Sequence, residues 1–380
     1  MKTIIENNPW LISSFLENKA YNFNKENILA QLPEKFIDEA INAISSWDNY
    51  TPTPLIKLNK LNDELKFKNI YYKDEDKRFD LKSFKALGGA FAVYKIASEK
   101  KDITVSTATA GNHGRSVAWG AQRLGIKCKI FISEFVSESR AEAMRKLDAE
   151  VIRVKGNYDN SLKECIKQSK ENNWEIVQDV SWEGYKEVPK LIMAGYTIMI
   201  KEILDEVKSN SISHVFLQAG VGGMAAAMIA GFAKLSQNIP KFITVEPENA
   251  DCVFQSIKNN KPTTVDIKKE TIMGGMSCGD VSSIAWEILK NSTNYCLTIP
   301  DEAISTTVAL LAEKHLSDEK IIAGECAVPG IIALIGSFNN KEYLDKLELN
   351  EQSNVLLFGC EGLTDSAMYQ KLLSDGLQKI

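Results

Sequence analysis

The sequence contains little of what metal sites and nucleic-acid interfaces require. Its three histidines include no pair four residues apart, and its seven cysteines include no Cys-x-x-Cys spacing. Zinc sites are built on such patterns, so we expect no metal ion. Positive charge is not in excess either, since 45 Lys and Arg are set against 50 Asp and Glu. We therefore expect no nucleic-acid partner, because such a partner requires clustered basic residues.

Long apolar runs are also lacking. The least polar stretch, from Ala219 to Ala233, consists mostly of Gly and Ala. It is shorter than the roughly 20 residues that a membrane-spanning helix needs. Near the start, Glu6, Asn7 and Asn8 interrupt the chain before an apolar run typical of a signal peptide develops. We therefore expect a cytoplasmic protein with no membrane partner.

What the sequence does contain is an alternation of short β-rich runs with helical patterns. With 380 residues and a hydrophobic share of 44%, the chain is long enough for two domains with ordinary cores. The β-rich runs are residues 69–75, 103–107, 127–133, 150–156, 175–179, 214–220, 241–247 and 354–360. A single helix is predicted from about residue 188 to 208. This alternation predicts an α/β fold in which mostly parallel sheets are flanked by helices.

Lys85 lies on an unexpected face of its predicted helix. If Ser83 caps that helix, Lys85 shares one stripe with Gly88, Gly89 and Ala92, which are small residues. Lysine usually occupies the opposite, solvated face. A low-polarity pocket disfavours the ammonium form and so frees the amine as a nucleophile toward an aldehyde. The sequence therefore predicts Schiff-base chemistry at Lys85.

A glycine cluster follows a predicted strand near residue 218. Gly220, Gly222 and Gly223 lead from this strand into a helix of small residues. Such a turn presents backbone N–H groups at a helix N-terminus, where phosphate binds, and side chains would block the approach. Close packing of the helix on the sheet, without any ligand, explains the same glycines.

The same cluster also permits a nicotinamide-dependent dehydrogenase. Gly220, Gly222 and Ala225 fit the pattern G-x-G-x-x-A, and Glu246 follows Gly222 by 24 residues. In dinucleotide-binding folds, the acidic residue that binds the ribose of the cofactor follows the glycines at about this separation along the sequence. The position of the turn, past residue 210 and after several βα units, is unfavourable to this alternative.

Pyridoxal phosphate explains the lysine and the glycines together. This cofactor carries both an aldehyde, which a nucleophilic lysine binds, and a phosphate, which the glycine turn would hold. The letters SFKALGGA around Lys85 and TAGNHG at 109–114 also resemble two signatures of the fold type II pyridoxal phosphate enzymes, the tryptophan-synthase-β-like group. The fold and the chemistry of that group therefore become expectations for this chain.

Within that group the chain resembles the diaminopropionate ammonia-lyases. The matching segments follow the family order from about Asp74 to Asp365: AFAVYK, NHGRSVAWGA, QDVSWEGY, QAGVGGMAAA, VEPENADC, TIMGGMSCG, WEILKN, IIAGE and CEGLTD. The resemblance implies a large cofactor-binding domain made of residues 1–88 and 210–380, and a small domain made of residues 89–209. It also implies a homodimer.

The resemblance implies a role for each matching residue. Lys85 would bind the cofactor covalently and act as the base at Cα, while Asp179 would bind the β-ammonium group or protonate the leaving amine. Asn112 would bond the ring hydroxyl of the cofactor, and Cys360 would be the neutral partner of its pyridine nitrogen. Backbone atoms would hold the substrate carboxylate at Thr109, Ala110, Gly111 and His113, and the phosphate at Gly220, Val221, Gly222, Gly223 and Met224.

Several of these residues also have purely structural explanations. Asp179 could cap a loop at the end of a strand, and Asn112 and His113 could form a helix-start turn. Cys360 could be a buried strand cysteine. Without the resemblance, these explanations remain open.

Ala110 departs from the family pattern. The family carries an Asp at this position, which is credited with removing the Cα proton of the D-isomer, whereas Ala110 has no proton chemistry. We therefore predict elimination of ammonia from 2,3-diaminopropionate with the L-isomer favoured. A serine or threonine dehydratase is the alternative within the group, and the dehydrogenase and a catalytically silent binding protein are alternatives outside it. Pro329, a second departure, is expected to alter a loop near the cofactor.

Overall fold

The computed structural model describes residues 9–109, 111–207 and 212–380. In these ranges the strands are β1 (Ser14–Glu17), β2 (Leu55–Lys57), β3 (Asn69–Asp74), β4 (Thr104–Ala108), β5 (Lys127–Ser133), β6 (Glu150–Val154), β7 (Glu175–Ile176), β8 (His214–Gln218), β9 (Lys241–Pro247), β10 (Tyr295–Ile299) and β11 (Asn354–Gly359). The helices are α1 (Lys25–Gln31), α2 (Glu34–Ser45), α3 (Asn59–Leu65), α4 (Lys85–Glu99), α5 (Asn112–Leu124), α6 (Glu138–Arg145), α7 (Tyr158–Asn172), α8 (Glu187–Tyr196), α9 (Ile198–Val207), α10 (Gly223–Leu235), α11 (Cys252–Asn259), α12 (Ser283–Ser292), α13 (Ile304–Ala312), α14 (Pro329–Asn339), α15 (Lys341–Leu347) and α16 (Ser366–Leu377).

The described chain divides into two compact units. The larger unit contains residues up to Gln31, Pro52–Lys77 and Met199–Ile380, and the smaller one contains Leu32–Thr51 and Arg78–Ile198. The predicted division, 1–88 with 210–380 against 89–209, differs from this one in residues 32–51, 78–88 and 199–209. Residues 78–88 group with the smaller unit because helix α4, which begins at Lys85, packs against α5 and α8. As a statement about domains, the predicted division stays a prediction.

The larger unit contains a seven-stranded sheet in the order β1-β10-β9-β8-β11-β3-β2. Its interior pairs are parallel, and the edge strands β1 and β2 pair antiparallel with their neighbours. Strands β8 and β11 are buried at every position, as expected for interior parallel strands, and their central residues 215–217 and 355–358 are all apolar. Their carboxyl ends lead to the Gly220 turn and to Cys360, at the edge where open parallel sheets bind ligands.

The smaller unit contains a parallel four-stranded sheet in the order β6-β5-β4-β7. Strand β4 leads into the loop that starts at Thr109, and the neighbouring β7 leads into Val177–Asp179. Because parallel neighbours end at the same edge, these two segments meet. The sheet thereby brings Asp179 to the loop that precedes helix α5.

The expected α/β architecture of mostly parallel sheets flanked by helices is confirmed. One predicted element is different, because the helix predicted from about 188 to 208 is two helices, α8 and α9, separated at Thr197. The hydroxyl of Thr197 donates to the carbonyl oxygen of Ala194 (2.6 Å), a bond that competes with regular helix pairing. No helix in the described ranges combines the length and the hydropathy that crossing a bilayer requires.

Candidate active site

Lys85 is the first residue of helix α4 in the smaller unit. Phe84 occupies the cap position without a side-chain bond, so the helix begins one residue later than a Ser83 cap predicts. Ser83 still contributes, since its Oγ accepts a hydrogen bond from the Lys85 N–H (3.3 Å). The start of the helix thus fixes the backbone of Lys85, and its side chain is 26% exposed.

The ammonium group of Lys85 is paired with Asp179. The distance from Lys85 Nζ to Asp179 Oδ2 is 2.5 Å, and the Asp179 side chain is 14% exposed. Burial opposes the ionisation of Asp179, but the charge that His113 carries when it is protonated, the charge of Lys85 and the hydrogen bond from Lys85 outweigh burial and lower the pKa of Asp179. The two residues therefore form a charged pair with a hydrogen bond.

This pair modifies the expectation of a low-polarity lysine pocket. The predicted glycine stripe instead allows helices to approach each other, because a Cβ added at Gly88 would lie 2.4 Å from Tyr196 Cε1, and one at Gly89 would lie 2.5 Å from Ser116 Oγ. Lys85 Nζ itself lies 5.3 Å from the ring centre of Phe84 and 5.8 Å from that of Tyr196. Aromatic rings and a carboxylate, rather than glycines, thus surround its charge.

Gln178 holds Asp179 in place. Its side chain continues the pairing of β7 with β4, since its Nε2 donates to the carbonyl of Ala108 (2.9 Å) and its Oε1 accepts from the amide of the same residue (3.1 Å). Thr107 Oγ1 donates to the same Oε1 (2.8 Å). These hydrogen bonds join the ends of β4 and β7 immediately before Asp179. They therefore fix the position of the carboxylate that Lys85 contacts.

His113 is the third member of this cluster. Its buried Nε2 lies 2.8 Å from the carbonyl oxygen of Val177, and because that oxygen can only accept, Nε2 carries the proton. Burial lowers the pKa of His113 and favours the neutral ring. Its Nδ1, 3.7 Å from Asp179 Oδ2, then presents a lone pair toward the cluster.

The loop before helix α5 is built around Thr109. Its Oγ1 accepts from the amides of Gly111 (3.1 Å) and Gly114 (3.3 Å). A Cβ added at Gly111 would meet no atom within 4 Å, so open space adjoins this loop. Asn112 is the half-buried first residue of helix α5. Ala110, the residue of the predicted departure, lies outside the described residues.

The glycine turn of the larger unit has the predicted strand-turn-helix form. Gly222 precedes helix α10 with φ of 87°, a left-handed conformation that favours glycine. The predicted cradle, Gly220, Val221, Gly222, Gly223 and Met224, contains three half-buried and two buried residues. Because the helix that follows is 13 residues long, its first N–H groups and its dipole favour an anion.

Glu246 does not have the role that a dinucleotide site would need. Its two carboxylate oxygens accept hydrogen bonds from the amides of Val253 (2.8 Å) and Phe254 (2.7 Å) in the first turn of α11. The side chain is fully buried. The acid of the dehydrogenase alternative is thus engaged in capping a helix.

Cys360 directly follows β11 and is buried. Its thiol donates to the carbonyl oxygen of Cys326 (3.1 Å), which also accepts from Gln218 Nε2 (3.1 Å). Gln218 Nε2 donates as well to the carbonyl of Phe358 (2.5 Å). This network joins the ends of β8 and β11. Pro329, in contrast, is not in a loop, because it is the first residue of α14, where proline is favoured.

Three buried residues near Cys360 have atoms that could bind a metal ion. Those atoms, on Glu325, Cys326 and Glu361, lie within 4.8 Å of one another. Burial raises the pKa of the Cys326 thiol well above its ordinary value, which disfavours the thiolate that metals need. Glu361 Oε1 already accepts from the Cys326 amide (3.1 Å). The prediction of no metal ion stays a prediction.

Tyr196 and Gln178 are site residues that the sequence analysis missed. Burial raises the pKa of the Tyr196 phenol, whose ring packs edge-on against Phe84 (4.7 Å between ring centres). The paired glycines of α4 were the available signal for Tyr196, because adjacent helix glycines indicate that another chain segment approaches closely. No comparable signal points to Gln178, whose role depends on which strands become neighbours.

Three comparisons with known proteins agree with this arrangement. The family model described as "Pyridoxal-phosphate dependent enzyme" matches residues 47–361. Diaminopropionate ammonia-lyase of Escherichia coli K12 is 32% identical over 95% of this chain and 96% of its own length. The enzyme of the same name from Salmonella typhimurium LT2 is 34% identical over 86% of this chain and 89% of its own length.

A solved structure is similar over nearly the whole chain. It is the crystal structure of Escherichia coli diaminopropionate ammonia-lyase in complex with an aminoacrylate-PLP azomethine reaction intermediate. Its TM-score is 0.88 at 31% identity, with 96% of this chain and 98% of that chain covered. The similarity therefore extends to both compact units.

Proposed function

We propose the function of this chain from the family to which it belongs, the pyridoxal-phosphate dependent enzymes and, within them, the diaminopropionate ammonia-lyases. It is a pyridoxal phosphate enzyme that converts 2,3-diaminopropionate and water into pyruvate and two molecules of ammonia. The observation that carries this proposal is the contact of 2.5 Å between Lys85 Nζ and Asp179 Oδ2. That contact supplies an amine for the cofactor and a carboxylate for a substrate that has two amino groups.

The residues of the larger unit fit the cofactor. The left-handed glycine at 222 and the amides at the start of α10 suit its phosphate, and the neutral thiol of Cys360 suits its pyridine nitrogen. When bound, the cofactor supplies an electron sink for the carbanion formed at Cα. A neutral partner stabilises a protonated ring less than a carboxylate does. Cys360 therefore favours loss of the β-amine over transamination.

Lys85 and Asp179 divide the proton chemistry. In the pair, Asp179 stabilises the ammonium form of Lys85, which is not nucleophilic. The α-amine of the substrate would displace Lys85 from the cofactor as a neutral amine. A β-ammonium group bound at Asp179 would then keep Lys85 from pairing with this carboxylate again, so that Lys85 can take the proton from Cα. Binding of the second amino group and activation of the base are then coupled, which favours a diamine over serine or threonine.

The remaining residues orient the substrate. We assign the carboxylate to the loop of Thr109, Ala110, Gly111 and His113, and the ring hydroxyl of the cofactor to Asn112. The open space at Gly111 supports this assignment. Because Ala110 offers no base, the L-isomer is the preferred substrate. We further propose a cytoplasmic homodimer, the state that the family resemblance implies.

The proposal is tested by the products formed from four amino acids. The purified protein with pyridoxal phosphate is given L-diaminopropionate, D-diaminopropionate, L-serine or L-threonine, and pyruvate or, for threonine, 2-oxobutyrate is measured. Turnover of the L-diamine far above the other three supports the proposal. Turnover of serine or threonine without the diamines would overturn it in favour of a dehydratase.

Ala110→Asp tests the assigned stereochemistry. The added carboxylate should raise the ratio of D- to L-diaminopropionate turnover, because it supplies a base on a second face of Cα. Ala110→Asn, which has nearly the same size and no basic group, is the matched control. If both variants leave the ratio unchanged, the preference for the L-isomer has another origin.

A further inference from the structure

The segment that leads into Lys85 has an unusual backbone. Phe79, Asp80 and Lys82 have φ values of 49°, 59° and 60°, in the left-handed region that side chains disfavour. The amide of Leu81 donates to the carbonyl of Arg78 (2.9 Å), so Phe79 and Asp80 are the central residues of a tight turn. We call residues 78–82 the Phe79 turn.

Phe79 has no local preference for the left-handed conformation that this turn requires. Among the described residues with positive φ other than glycine, it is the one aromatic or aliphatic side chain, and the others are Asn, Asp, Lys and Glu. Asn and Asp tolerate the left-handed region because their short polar side chains bond locally, which a phenyl ring cannot do. Contacts elsewhere must therefore hold Phe79 in this conformation.

The ring of Phe79 lies in a half-buried aromatic cluster within the smaller unit. Its centre is 4.6 Å from that of Trp119, 5.8 Å from Trp47 and 6.4 Å from Tyr50. The guanidinium of Arg123 lies over both indoles, 4.4 Å from the ring centre of Trp47 and 4.8 Å from that of Trp119. These contacts hold the ring and, through it, the turn.

We propose that Phe79 is a positioning residue for Lys85. Five residues separate the two, and the end of this segment is also held, because Ser83 Oγ accepts a hydrogen bond from the Lys85 amide and the Phe84 ring packs on Tyr196. The aromatic cluster keeps the Phe79 turn left-handed, and the turn fixes where helix α4 begins. Lys85 Nζ is thereby held at Asp179. This inference rests on the proposed function, in which Lys85 binds the cofactor.

Two variants separate the ring from the backbone conformation. Phe79→Ala removes the ring and keeps the cost of the left-handed turn, whereas Phe79→Gly removes the ring and that cost together. A misplacement of about 1 Å costs on the order of 100-fold in rate. We expect Phe79→Ala to lower kcat for L-diaminopropionate by at least about 10-fold with a small change in KM, and Phe79→Gly to lower it less.

A second measurement does not depend on turnover. Pyridoxal phosphate is added to cofactor-free protein, and the rate at which the visible absorption of the lysine-bound cofactor appears is recorded. This rate should follow the same order, wild type above Phe79→Gly above Phe79→Ala. Phe79→Tyr, which keeps the ring, should restore both quantities. If Phe79→Ala does not fold, Phe79→Leu takes its place.

Tyr343→Ala is the control for lost stability alone. Tyr343 is a half-buried aromatic residue of the larger unit and stacks on Phe15 with ring centres 4.5 Å apart. The inference is wrong if Phe79→Ala lowers the Tm as much as Tyr343→Ala does while kcat and the rate of cofactor attachment stay at wild-type values. Equal losses in Phe79→Gly and Phe79→Ala also overturn it. A wild-type protein that attaches the cofactor without consuming the diamine refutes only the proposed substrate, and the attachment rates then still decide the role of Phe79.

Discussion

The Lys85 cluster and the Gly220 turn are the two proposed ligand-binding regions, and they are built from different parts of the chain. In the Lys85 cluster, three side chains converge, with Lys85 and His113 both close to the carboxylate of Asp179. In the Gly220 turn, the backbone provides the groups, and Gly222 provides the conformation that exposes them. One region is defined by side-chain chemistry and the other by its geometry.

This difference decides how specific each region is as a signal of function. Glycine turns before helices bind the phosphates of many different ligands, so the pattern of Gly220, Gly222 and Ala225 is also compatible with a dehydrogenase. A lysine at the start of a helix, paired with a carboxylate from another strand end, is compatible with far fewer reactions. Substitutions should therefore affect chemistry in the first region and cofactor affinity in the second.

The largest expected effect is that of Lys85→Ala. Under the proposed function, removing the amine would remove both the covalent attachment of the cofactor and the base, so turnover should fall by roughly 1,000-fold or more. The measurement is pyruvate release from L-diaminopropionate. Lys95→Ala is the matched control, because Lys95 lies on the same helix and pairs with Glu39 (2.9 Å), away from the assigned chemistry. Undiminished pyruvate release by Lys85→Ala would refute the whole mechanism.

Asp179→Asn should have the next largest effect. It keeps the shape of the side chain and removes its charge. We therefore expect kcat to fall by about 100-fold, which is the lower end of the rate contribution of a group that transfers a proton. The reduction should be greater for the diamine than for L-serine, because serine has no β-ammonium group for Asp179 to bind. Equal losses on both substrates would contradict the assigned contact.

The effect of Asp179→Asn on the free energy of unfolding should depend on pH. Because the pKa of Asp179 is lowered by folding, its ionised form stabilises the protein above the unfolded-state pKa of about 3.9, and this stabilisation is lost as the pH falls through the folded-state pKa. The difference in unfolding free energy between wild type and Asp179→Asn should therefore narrow below about pH 4. Urea unfolding at neutral and acidic pH measures this difference, and a constant gap would contradict it.

Gly222→Ala should have a smaller effect, which we expect on the affinity for pyridoxal phosphate. Its Cβ would lie 2.8 Å from Leu289 Cδ1, and the φ of 87° would cost about 1–2 kcal/mol for a side chain, so the cofactor should bind roughly 10-fold more weakly. Titration of cofactor-free protein with pyridoxal phosphate measures this change. Gly125→Ala has a similar backbone cost at φ of 66° with no atom within 4 Å, and it should leave cofactor affinity unchanged. Equal weakening in both variants would refute a phosphate site at Gly222.

Cys360→Ser should have the smallest effect. The hydroxyl keeps a neutral donor for the carbonyl of Cys326, so kcat should change by no more than a few-fold. Cys360→Asp should instead slow elimination and increase transamination, because a carboxylate stabilises the protonated ring. The ratio of pyruvate formed to cofactor converted to its amine form measures both. A loss of elimination in Cys360→Ser equal to that in Cys360→Asp would show that charge is not the property that matters.

The sequence predicted the parts of the site whose signals are local. Lys85 was found because a lysine interrupts a stripe of small residues, and the Gly220 turn because glycines follow a strand directly. Tyr196, Gln178 and the pairing of Lys85 with Asp179 depend on which helices and strands become neighbours, which local patterns do not contain. The left-handed conformation of Phe79 was equally hidden, since no local preference of phenylalanine favours it.

The two edges of the larger sheet have a consequence for how the protein behaves at high concentration. Parallel strands inside the sheet are bordered by β1, with four residues, and β2, with three, both antiparallel to their neighbours. Such short edges offer few free backbone groups to a strand of another molecule. Loss of β1 would expose the whole length of β10, and self-association through open sheet edges would then compete with folding. The segment that contains β1 thus acts against aggregation, although it contributes none of the assigned catalytic groups.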